Sequence, residues 1–79
     1  MKIIREGENK NYMFRIVDDL PQFGGVYSIE VASKKHLEQD GIYWWEPVKS
    51  LVKDTDKFDA TTDLNKANKL FDEAIQLLS

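Results

Sequence analysis

A chain of 79 residues with a formal net charge of −3 and no cysteine has room for one domain and not for a second hydrophobic core. The lack of cysteine and the single histidine argue against zinc sites, and neither half of the chain is basic enough to neutralise a run of phosphates. No apolar run is long enough to span a membrane, and no secretory signal opens the sequence. We therefore expect a single domain over residues 1–79 of a soluble, cytoplasmic protein.

The first half of the chain predicts three strands. MKIIR is a short apolar run that ends in the polar turn EGENKN, NYMFRIVDD is rich in aromatic and β-branched residues, and VYSIEVAS alternates apolar and polar side chains. The alternation predicts one apolar face, made of Tyr12, Phe14, Ile16, Tyr27, Ile29 and Val31. The second and third strands are expected to form a hairpin, with Arg15, Ser28 and Glu30 on the opposite face.

The middle of the chain is harder to assign. KKHLEQDG is interpreted as a polar connection closed by the turn pair Asp40-Gly41, and IYWWEPV as a fourth strand. The stretch that follows, PVKSLVK, permits two structures. We favour a continuing strand, with a short helix that begins at Pro47 as the alternative.

The last 18 residues, TDLNKANKLFDEAIQLLS, predict an amphipathic helix. Its apolar residues recur at helical spacing, Thr61 or Thr62 is a candidate N-cap, and Asp63 complements the helix dipole. The predicted fold is therefore of the α+β class. An antiparallel sheet of three to four strands is packed on one face by the C-terminal helix, in the order β-β-β(-β)-α.

The dipeptide Trp44-Trp45 raises the main question about function. In an extended segment, neighbouring side chains point to opposite faces, so the two indoles are not expected in the same core. We expect one indole under the helix and the other on the open face beside Arg15, or at the rim of the sheet. That second indole is interpreted either as a lid over the stem of Arg15 or as a contact site, including one for self-association.

A second pair of apolar residues, Leu20 and Phe23, lies in the glycine-bounded loop DDLPQFGG. Such residues usually fold back to plug the open end of a sheet, and the alternative is a recognition tip carried on the loop.

No catalytic set is visible in the sequence. His36 has no nucleophile or orienting partner at a meaningful spacing, and no phosphate-binding glycine loop occurs. The acidic run DTDKFDATTD departs from the EF-hand pattern, since Phe58 and Asp59 occupy places that need an oxygen ligand and a glycine. We predict that the protein is not an enzyme and has no catalytic residues, no metal site and no cofactor.

Two resemblances accompany the helix sequence. Three strands followed by FDATTDLNKANKLFDEAIQLL resemble the arm-binding domains of tyrosine recombinases, which implies that the sheet binds the DNA major groove. That family carries basic residues on its strands, where this chain has Arg15. The same tail is similar to part of HicB-type antitoxins, which pair with a small basic toxin, although their proline–glycine–cysteine segment is absent here.

The sequence predicts a small non-enzymatic interaction module, of an accessory, inhibitor or antitoxin type. It is expected to bind a protein partner, or a second copy of itself, through the open sheet face. The predicted contact residues are Trp44, Trp45, Arg15, Tyr43 and Phe23. The alternative is a nucleic-acid-binding domain that uses the same face in the manner of the recombinase arm-binding domains.

Overall fold

A computed structural model describes residues 1–79. Four strands form one antiparallel sheet in the order β1-β2-β3-β4, and the C-terminal helix packs on one side of it. The strands and helices are β1 Lys2–Glu8, β2 Tyr12–Asp18, β3 Tyr27–Ser33, α1 Lys34–Asp40, β4 Glu46–Pro47 and α2 Leu64–Leu77. The predicted α+β class and the helix-on-sheet packing are confirmed.

The core lies between the sheet and α2. Phe14 pairs with Val31 and Ile16 with Ile29, so the alternation seen in the sequence gives one continuous apolar face. Phe14 meets Phe71 edge to face, with the ring centroids 6.3 Å apart. The buried cluster contains Phe14, Ile16, Ile29, Val31, Val48, Phe58, Ala67, Leu70, Phe71 and Ala74.

Contacts from β1 hold α2 in position. The Arg5 guanidinium lies 4.3 Å from the centroid of the Phe71 ring and donates to Asn68 Oδ1 at 3.1 Å and to Asp72 Oδ1 at 2.9 Å. Gly7 leaves room for the same ring, because a Cβ at this position would lie 2.8 Å from Phe71 Cζ. Phe71 is therefore contacted from two strands, which makes it the anchor of the helix.

The start of α2 differs from the prediction in one residue. Asp63 is the N-cap, and its carboxylate accepts from the amides of Asn65 at 2.9 Å and Lys66 at 3.2 Å. Thr61 lies two residues before the cap, where its Oγ1 accepts from the Asp63 amide at 3.1 Å and its backbone exchanges two hydrogen bonds with Tyr27 at the outer edge of β3. An aspartate thus supplies both the cap and the negative charge at the positive end of the helix.

Two predictions for the middle of the chain were wrong, and a third gave the right strand with too great a length. The connection at residues 34–40 is the helix α1, ended by Gly41, whose φ of 76° is left-handed and whose amide donates to Leu37 O. The fourth strand is only Glu46–Pro47, and Val48–Ser50 is a 3₁₀ turn, which favours the short-helix alternative. With seven residues and one large apolar side chain, α1 is too short to show a helical period.

The long free edge of the sheet is β1, since the other edge strand, β4, has only two residues. Along β3, Thr61 pairs at one end, while Glu46 and Pro47 pair farther along, which leaves little of this edge open. On β1 a bulge between Ile3 and Arg5 disturbs the register, and charged side chains follow along the strand. Bulges and charges of this kind reduce edge-to-edge association, so the strand edges are poor candidates for the contact site.

Candidate interaction surface

The two indoles lie on opposite sides of the sheet edge, as predicted. Trp45 lies on the second face, the one away from α2, where the Arg15 guanidinium is 4.1 Å from the centroid of its ring. Trp44 lies on the α2 side and lines a cleft together with Tyr12 and Val31. Neither indole enters the core under α2, so that part of the prediction was wrong.

Trp45 forms a closed stack on the second face. Arg15 Nε donates to Glu30 Oε1 at 2.7 Å, and the Arg15 side chain is only 14% exposed. The ring of Tyr43 packs at 5.6 Å from Trp45. Trp45 lies directly before β4, and its ring extends across β3 to Arg15 of β2. The ring therefore covers the paired guanidinium as a lid.

The second face is therefore less open than the sequence suggests. Val17 and Ala32, which point to this face, are buried although no helix packs there. Two further acids of β1 lie near the stack. Glu6 lies opposite Arg15, and Glu8 pairs with Lys34 at 2.8 Å. The one arginine of this face is already paired, so the arrangement does not favour phosphate binding.

Trp44 is the exposed indole. Trp44 is 54% exposed, and its Nε1 donates to Oδ2 of Asp40, the last residue of α1, at 3.0 Å. Large apolar side chains on either side of β4 are exposed as well. We call this group the β4 rim; it consists of Ile42, Tyr43, Trp44 and Leu51.

A cleft of about 210 Å³ opens beside the rim. Its apolar part comes from two sheet residues and from the segments on either side of β4, and its polar part comes from the end of β3, from α1 and from β4. The residues around it are Tyr12, Val31, Ser33, His36, Trp44, Glu46 and Leu51. Sequence reasoning missed all of these as site residues except Trp44, because the cleft exists only once α1 and the 3₁₀ turn are folded.

Phe23 does not join the other predicted contact residues. It lies in the loop between β2 and β3, at the end of the sheet away from α1, and is 76% exposed. The loop is ordered by the buried carboxylate of Asp18, which accepts from the amides of Leu20 and Val26 at 3.1 Å each. Leu20 is exposed too, so the expectation that both residues plug the sheet was wrong.

No group of three or more histidine, aspartate or glutamate side chains is arranged to hold a metal ion. None of the helices has the length and apolar character that crossing a membrane requires.

Comparison of the chain with models of known protein families, with curated proteins and with solved structures finds no match in any of the three. The likenesses drawn from the helix sequence therefore remain resemblances of element order. The helix α1, which lies between β3 and β4, departs from the three-strands-then-helix order of the recombinase domains.

Proposed function

We propose that this chain is a small non-enzymatic interaction module that binds a protein partner through the β4 rim. The observation that carries the proposal is Trp44, an indole that is more than half exposed and yet held in one orientation by Asp40. Single exposed apolar residues need no explanation, whereas here four large ones are exposed within ten residues, and two of them, Trp44 and Leu51, line the same cleft.

The rim is supported from both sides. Val48, directly after β4, is fully buried, and the Trp45 ring is stacked on the Arg15 guanidinium. The backbone that carries Trp44 is thus anchored before a partner arrives, which lowers the entropy lost on binding. Tryptophan and tyrosine are over-represented among the residues that dominate the energy of protein interfaces.

The proposal moves the contact site from the middle of the second face to its edge. Trp45 and Arg15 become the support of the site, Trp44 and Tyr43 remain contact residues, and Phe23 lies outside it. The two roles can be told apart by experiment, because replacing Trp45 is expected to lower the stability of the fold and to weaken binding only as a consequence.

The proposal is tested by capture of the partner from the native cell with the full chain and two variants as bait. Trp44→Ala removes the exposed indole, and Phe23→Ala removes an even more exposed ring at the far end of the sheet. We expect a co-purifying protein that is lost with Trp44→Ala and retained with Phe23→Ala. Thermal unfolding of each bait checks that the fold is intact.

A complex that survives Trp44→Ala unchanged would contradict the proposal. Sedimentation velocity of the purified chain covers the case in which the partner is a second copy. A dimer that dissociates in Trp44→Ala and not in Phe23→Ala places the self-contact at the same rim.

A further inference from the structure

The cleft beside the β4 rim combines aromatic rings with an unpaired acid. Tyr12 and Trp44 contribute the rings, and Glu46 contributes the only carboxylate among the lining residues. The Glu46 side chain forms no hydrogen bond or ion pair within the chain, whereas the five ion pairs present occupy other acids. An aromatic ring beside a free carboxylate is suited to a cation.

The chain itself uses this combination twice. Arg15 is stacked on an indole and paired with a glutamate, as described above, and Arg5 is placed in the same way against Phe71 and Asp72. In both cases one guanidinium meets a ring face and a carboxylate. The cleft offers a ring and a carboxylate for a third time, and among its lining residues the only basic side chain is His36, with no arginine or lysine.

The surrounding charges favour a base at this place. From His36 to Val48 the chain contains three acids and no lysine or arginine. The next base along the chain, Lys49, lies 3.6 Å from the Asp59 carboxylate. A neighbouring cleft that shares Tyr12 is lined by three lysines, so the preference for a cation is confined to the Glu46 side.

The volume of the cleft fits one side chain. Small-molecule sites usually measure roughly 300–1,000 Å³. The cleft, at about 210 Å³, falls below that range.

We infer that the cleft receives an arginine side chain of the protein partner, with the guanidinium against the Trp44 indole and paired with the Glu46 carboxylate. The inference rests on the proposed function, because it names the chemistry of the partner at the same surface. Arginine fits better than lysine, since a planar guanidinium stacks on a ring and meets a carboxylate through two donors.

Selection of short peptides tests this chemistry without knowledge of the partner. A phage-displayed library of random peptides is selected in parallel on the immobilised full chain and on Trp44→Ala. We expect the peptides retained only by the unmodified chain to share one arginine beside apolar residues. Selected peptides that lack a base, or that carry lysine in its place, overturn the inference.

The best selected peptide then allows a direct measurement by fluorescence anisotropy. Replacing its arginine with citrulline, which keeps the shape and removes the charge, should weaken binding by about tenfold. Glu46→Gln should weaken the binding of the arginine peptide by a similar factor and leave the binding of the citrulline peptide nearly unchanged. Glu6→Gln is the matched control, an exposed and unpaired glutamate on the second face, and should change neither.

The two proposals fail in different ways. Peptides that depend on Trp44 and contain no base leave the proposed function standing and refute the arginine site. A Glu46→Gln effect no larger than that of Glu6→Gln refutes the site as well. A library in which no peptide depends on Trp44 contradicts both proposals.

Discussion

Trp44 and Trp45 are identical in chemistry and adjacent in sequence, and the structure uses them for opposite purposes. Trp45 finds Arg15 beneath it and becomes part of the fold. Trp44 donates one hydrogen bond from its ring nitrogen to the Asp40 carboxylate and keeps more than half of its surface exposed. The comparison shows that backbone alternation decides the side on which a residue lies, whereas the neighbours on that side decide whether it is buried.

The largest expected loss of stability comes from replacing a side chain that is fully buried in the core. Phe71→Ala removes the ring that β1, β2 and α2 share, and it should lower the free energy of unfolding by about 2–5 kcal/mol. Urea denaturation followed by circular dichroism measures the change. An unchanged midpoint would mean that α2 does not pack on the sheet as described.

Trp45→Ala tests whether Trp45 is the indole that belongs to the fold. Removing the lid takes away the half-buried ring and its contact with Arg15, so we expect a loss of about 1–3 kcal/mol in the same urea experiment. A loss below that of Trp44→Ala would reverse the assignment of the two indoles.

Trp44→Ala is the matched change on the open side. Because the ring is exposed and its hydrogen bond is solvent-accessible, the free energy of unfolding should change by no more than about 0.5 kcal/mol. The same variant should lose the partner in the capture experiment, which separates a binding residue from a structural one. A stability loss as large as that of Trp45→Ala would show that both rings belong to the fold.

The smallest expected effect concerns nucleic acid. Because Arg15 is paired and covered, the second face should not retain duplex DNA even at about 50 mM salt, where phosphate contacts are strong. An electrophoretic mobility assay decides the matter. Retention that falls steeply with added salt would support the alternative function instead.

Long, regular patterns in the sequence predicted most of the fold. The large apolar residues at every second position of Tyr12–Asp18 and Tyr27–Ser33 predicted the core faces of β2 and β3, and the apolar period of α2 predicted its packing side. These signals succeed because each element buries one side against the same core. The register between strands followed from the matching apolar faces.

The candidate site was predicted in part. Alternation predicted that the two indoles lie on opposite sides and that one of them covers Arg15. The exposure of Trp44 was not predicted, because this indole lies on the α2 side but outside the core that α2 covers. The cleft did not follow, because its position depends on α1, which has too few apolar residues to show a period, and on the turn at Val48–Ser50. Its acid, Glu46, has no feature in the sequence that separates it from other surface glutamates.

The claim that Trp44 is open and Trp45 is closed is tested most directly by acrylamide quenching of two single-tryptophan variants. Trp45→Phe leaves only Trp44, and Trp44→Phe leaves only Trp45. We predict that the Trp44 fluorescence is quenched several-fold more efficiently and emits at longer wavelength than that of Trp45. Equal quenching of both variants, or stronger quenching of Trp45, would contradict the account.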